Sequence, residues 1–239
     1  MNNKNHNILL WLTLFAISMG IFEGAVVVYL RALYYPSGFE FPLAIMDINI
    51  AVTELIREFA SLIMLLSVGV IAGKNFSQRF AWFIYSFAVW DVVYYIFLYF
   101  ILGWPESLFT WDILFLLPIT WTGPVISPLI ISGLMILLSL IIYKHNIKTD
   151  YTFKLIKKDW AILISGSVIV FISFTWDYCR FLVRNFSNTE LKLKSFSNKL
   201  FDLSVQYIPE RFPWVIFLTG VLILFLAIYF IWVRMKKNL

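Results

Sequence analysis

Residues 213–233 read PWVIFLTGVLILFLAIYFIWV, a run of 21 residues without a single charge. At ~1.5 Å of rise per residue, a helix of this length crosses the ~30 Å hydrocarbon layer of a bilayer. Five further apolar runs precede it, at Ile8–Leu30, Ile48–Ala72, Phe80–Leu102, Ile113–Tyr143 and Ala161–Val183. Each is long enough to span. A transmembrane β-barrel would instead show alternating segments of ~10 residues, which this chain lacks. The fold class expected is therefore all-α: a polytopic integral membrane helical bundle of six transmembrane helices, forming a single transmembrane domain over residues 1–239.

Composition agrees. Of the 239 residues, 61% are hydrophobic, 19% aromatic and only 14% charged, too few charges to cover the surface of a soluble domain, which carries ~25%. The net charge of +5 matches the basic loops of a membrane protein. No Lys/Arg block is interleaved with aromatics outside the spans, so no nucleic-acid partner is expected. The single cysteine, Cys179, cannot form an intrachain disulfide.

Orientation follows from the loops. One set of helix ends carries Lys4, Lys74, Arg79, Lys144, Lys148, Lys154, Lys157, Lys158, Arg234, Lys236 and Lys237. The other carries Arg31, Arg184, Lys192, Lys194, Lys199 and Arg211, most of them in one long loop. The bias predicts cytoplasmic N and C termini in a cell membrane. The first apolar run continues past the small residues Ala16 and Ser18 to Leu30, which suits an uncleaved span better than a signal peptide. Ala16, Gly20 and Gly24 repeat every fourth residue, a spacing that permits close helix approach. In the last outer loop, Leu193, Phe196, Leu200, Leu203 and Tyr207 recur at helical spacing. They predict an amphipathic interfacial helix over 188–207, with Ser187 and Glu190 as its capping box and Pro209 as its stop.

Seven ionisable residues lie inside the spans: Glu23, Glu54, Arg57, Glu58, Asp91, Asp177 and Arg180. A charge near the bilayer centre costs ~2.5–3.5 kcal/mol on insertion scales and normally faces protein or water. Counting rise along helices of alternating direction, all seven fall in the outer half. Glu23 and Asp177 lie ~10 Å below the outer ends, Glu54 ~9 Å, Glu58 ~15 Å and Asp91 ~17 Å. Tyr94 and Tyr95 follow Asp91 at i+3 and i+4, where a phenol could donate to the carboxylate. Trp121 and a backbone interrupted at Pro118, Pro124 and Pro128 bring the fourth span to the same level. Irregular backbone at membrane depth is tolerated only against protein or a wet cavity.

These ten residues, the seven charges with Tyr94, Tyr95 and Trp121, form the expected binding region. Pairing Arg57 with Glu54 or Glu58, and Arg180 with Asp177, leaves three carboxylates that need a proton, a cation or water. The donor set is hard oxygen, which would suit Mg²⁺, Ca²⁺ or Mn²⁺ rather than Zn²⁺, yet no metal site and no cofactor are assigned. The two histidines, His6 and His145, lie at the cytoplasmic ends. No HExxH, glycine-rich phosphate loop or Ser/His/Asp set occurs. Glu54-Leu55-Ile56-Arg57-Glu58 loosely resembles the acidic-arginine helix of CAAX-type intramembrane proteases. The similarity spans one helical turn, and the histidine motifs of those enzymes are missing.

Three functions fit: a transporter of protons, a small cation or a small solute; an enzyme acting on a lipid or lipid-linked headgroup at the outer leaflet; or a non-catalytic scaffold or assembly subunit. The partners expected are the lipid bilayer and a proton, small cation or lipid headgroup. Transport requires polar groups below Asp91, catalysis a closed floor there, and a scaffold only packed helices.

Overall fold

A computed structural model describes residues 2–148, 153–185 and 205–237. Its helices are α1 (Asn2–Tyr34), α2 (Ile48–Ala72), α3 (Phe76–Leu102), α4 (Ile126–Lys148), α5 (Lys157–Asn185) and α6 (Trp214–Lys237). All six are long and apolar enough to cross a membrane, and the chain is a multi-pass membrane protein. Most of the interfacial helix expected over 188–207 lies outside the described residues.

Local chemistry sets the helix ends. The Asp47 side chain accepts from Asn49 N at 2.8 Å and starts α2, and Asn75 accepts from Gln78 N at 2.9 Å to start α3; each satisfies an orphan donor of the first turn. Gly103 ends α3 in the left-handed region at φ 65°, a conformation that glycine adopts without a Cβ penalty. Asp159, in the first turn of α5, accepts from Ile156 N at 2.8 Å and receives both terminal nitrogens of Arg234 from α6.

Between α3 and α4 the chain departs from the expected helix. The run predicted to be helical from Ile113 begins its helix only at Ile126. Trp111–Phe115 (β1) and Trp121–Pro124 (β2) form an antiparallel hairpin, in register Asp112 with Gly123 and Ile113 with Thr122. Val125 N donates to Thr110 O at 3.0 Å and Ile126 N to Leu108 O at 2.8 Å, carrying the pairing to the start of α4. Pro118 and Pro124 lack the N–H a helix needs here. Pro128 is tolerated in the first turn of α4, where an amide hydrogen has no intrahelical partner.

The hairpin folds back into the bundle. Phe115 stacks on Phe87 with ring centroids 5.8 Å apart, and Trp121 meets Phe171 edge-on at 5.0 Å. Phe87 and Phe171 are near the midpoints of α3 and α5, about 20 Å from the ends of those helices on the hairpin side. A helix would satisfy its own backbone at that depth; a two-stranded hairpin cannot, so it needs side-chain partners.

Helix α3 is central, packing against α1, α2 and α4, while α5 and α6 pair and close against α4 and β2. The stripe of small residues makes the α1–α3 contact: Ala16 is fully buried, and a Cβ on Gly20 would sit 2.7 Å from Trp90 O. The α5–α6 contact is equally close at Gly220, where a Cβ would lie 2.7 Å from Val170 Cγ2. Large apolar side chains such as Trp11, Phe59, Ile71, Phe100 and Val215 face outward, as lipid-facing positions do.

Candidate functional site

Glu54, Arg57, Glu58 and Ser61 share one face of α2 because they are spaced i, i+3, i+4 and i+7. Arg57 is clamped between two carboxylates: its Nε donates to Glu54 Oε2 at 2.8 Å, and its Nη1 donates to Glu23 Oε2 of α1. All three side chains are largely withdrawn from the surface. The guanidinium thus joins α1 to α2, two helices that both pack on α3 and barely touch each other. Glu23, expected to lack a cationic partner, has one.

Glu58 turns away from Arg57 toward the hairpin. Its carboxylate accepts from Leu116 N at 3.0 and 3.1 Å and from Leu117 N at 3.1 Å. These two amides follow β1 and have no strand partner. A buried carboxylate therefore supplies the acceptor that the hairpin tip lacks.

Asp91 accepts from Ser132 Oγ of α4 at 2.8 Å. The expected donation from Tyr94 or Tyr95 is not formed. Tyr95 instead donates to Asp112 Oδ2 on β1 at 3.0 Å, and Tyr94 packs edge-on against Tyr95 at 5.0 Å. The hairpin offers Tyr95 a closer carboxylate than its own helix does, and α4 presents Ser132 to Asp91.

Asp112 was not among the expected site residues, and neither was Arg31. The Arg31 guanidinium lies 3.9 Å from Asp112 Oδ1 and over the rings of Trp104 (3.7 Å) and Phe39 (4.7 Å). Aromatic faces stabilise a cation removed from water. Burial raises the Asp112 carboxyl to about 6, against the opposing pull of Arg31 and the Tyr95 hydroxyl. Counted as a loop charge, Arg31 carried no sign of this in the sequence; Asp112 stood just before the run read as helix and was counted in no span.

On α5, Asp177 is buried and accepts from the Tyr207 hydroxyl at 2.9 Å, from Glu210 N at 3.0 Å and from Arg211 N at 3.4 Å. The pairing expected with Arg180 is replaced by these three donors, because the segment leading into α6 folds back over the carboxylate. Tyr207 also bonds Thr122 Oγ1 of β2 at 2.9 Å; burial raises its phenol pKa above the ordinary value. Trp121 is held by rings, and its Nε1 is buried without a hydrogen-bond partner. Arg180 and Asp177 line a shallow depression with Phe181, Arg184, Ile208 and Glu210.

The expected residues therefore divide into separate contacts around one element. Glu58 holds the hairpin tip, Tyr95 and Arg31 hold β1 through Asp112, and Asp177 reaches β2 through Tyr207 and Thr122. The Glu23–Arg57–Glu54 clamp and the Asp91–Ser132 bond join neighbouring helices. Among the described residues, no three His, Cys, Asp or Glu side chains come together as a metal-binding group. Compared with protein-family models, with curated proteins and with solved structures, the chain finds no match.

Proposed function

We propose that this protein is a non-catalytic membrane scaffold or assembly subunit, a single transmembrane domain of the cell membrane with both termini in the cytoplasm. Its buried charges hold a re-entrant hairpin in place. The observation that carries the reading is the engagement of Glu58 with Leu116 N and Leu117 N. A carboxylate that binds two backbone amides at the tip of a hairpin is a structural anchor, with its acceptor capacity turned to the protein rather than to a solute. Asp177 accepts from three donors and Asp91 from Ser132. Around them, Phe87, Trp90, Phe115 and Trp121 pack ring against ring, where a transport route would need polar groups.

Proton and cation flux in proteoliposomes tests the proposal. Vesicles holding the protein and a pH-sensitive dye should dissipate an imposed pH gradient no faster than empty vesicles, in sodium or in potassium. Asp91→Asn should fold normally and retain the phenotype of the wild-type gene in cells. Flux that the wild type supports and the Asn variant loses would replace the scaffold reading with transport.

A further inference from the structure

We propose that the pocket between the C-terminal end of α5 and the segment leading into α6 binds the phosphodiester of a membrane phospholipid, with Arg180 as its principal ligand. This inference does not rest on the scaffold reading. The pocket's cations, Arg180 and Arg184, are one turn apart on α5 and both exposed. Arg180 forms no ion pair with any described residue. Arg184 lies 3.4 Å from Glu210 in an exposed pair, and such pairs contribute little stability, so the arriving phosphate displaces that contact at small cost. The Asp177 carboxylate is held by Tyr207 and two backbone amides and leaves the arginines free to meet an anion. Guanidinium groups bind phosphate oxygens through paired, charge-assisted N–H donors.

The position favours a lipid over a free anion. Arg180 stands five residues from the end of α5, at the level where arginine reaches the headgroup layer. Trp176 and Ile172 continue the same stripe toward the membrane centre and are both exposed, as is Ile208 on the other wall of the pocket. Tryptophan is enriched at the membrane–water boundary. A phospholipid seated with its phosphate at Arg180 lays an acyl chain along this apolar stripe. Free phosphate would gain nothing from it.

The test is native mass spectrometry of the full-length protein, delipidated in mild detergent and titrated with dioleoyl phosphatidylethanolamine, dioleoylglycerol or inorganic phosphate. The wild type should retain one phosphatidylethanolamine, fail to retain dioleoylglycerol, and keep its lipid against inorganic phosphate at equal concentration. Arg180→Gln should bind the phospholipid at least about 10-fold more weakly, the loss expected for one charge-assisted contact. Arg180→Lys, which keeps the charge, should recover part of it. Equal retention by the Gln variant, or equal retention of dioleoylglycerol, would overturn the proposal. Displacement of the lipid by inorganic phosphate would make the site one for a free anion and overturn the lipid assignment.

Discussion

Glu58 shows how one carboxylate can justify its place in a membrane. Its two oxygens serve Leu116 N and Leu117 N, and leaving either amide unpaired would cost roughly 1–3 kcal/mol. Glu58→Ala should therefore lower the thermal midpoint in detergent by several degrees and expose the hairpin tip to labelling of a cysteine placed at Leu117. Glu58→Gln keeps one acceptor oxygen and should lose less. If Ala and Gln behave alike, Glu58 does not anchor the hairpin. Asp112 permits a test by pH. Its folded value of about 6 exceeds the ordinary 3.8, so proton uptake stabilises the folded state. That contribution is fully present below about pH 4 and is lost as pH rises through about 6. The difference in midpoint between wild type and Asp112→Asn should change across this window and level off on either side. A difference that stays constant from pH 4 to 7 would show that Asp112 does not titrate there.

Elements meet where small residues let backbones approach. Gly220 of α6 faces Val170 and Gly166 O of α5, with a Cβ predicted only 2.7 and 3.1 Å from them. Gly220→Val should push the pair apart and destabilise by ~1–3 kcal/mol, measured by thermal unfolding in detergent. Gly133 of α4 has nothing within 4 Å of an added Cβ. Gly133→Ala should be neutral or stabilise by up to ~1 kcal/mol, since alanine is the better helix former. A destabilising Gly133→Ala together with a harmless Gly220→Val would refute the close α5–α6 contact. The hairpin carries the same lesson in its backbone: Pro118, Pro124 and Pro128 signal that the fourth span is broken, but not that its first part returns as two strands.

At the scale of the whole molecule, topology is open to direct measurement. Reporter fusions at Thr149 and Asn198 should report opposite sides of the membrane, with Thr149 cytoplasmic, as the eleven-to-six distribution of Lys and Arg between the two sets of ends requires. Fusions reporting a common side would remove the depth argument that groups the seven intramembrane charges. Six spanning helices were legible in the sequence because the length and polarity of a span are local properties, imposed by bilayer thickness and by the cost of exposing an unpaired backbone group to lipid. Which group meets which was legible only for Arg57 and Glu54, neighbours on one helix face. Arg57 chooses Glu23 over Glu58, Tyr95 chooses Asp112 over Asp91, and Asp177 takes Tyr207 and two amides in place of Arg180. These choices depend on where the hairpin, the segment leading into α6 and the neighbouring helices come to rest, and a hydrogen bond is decided by distances of a few tenths of an ångström, which only the packed tertiary structure sets.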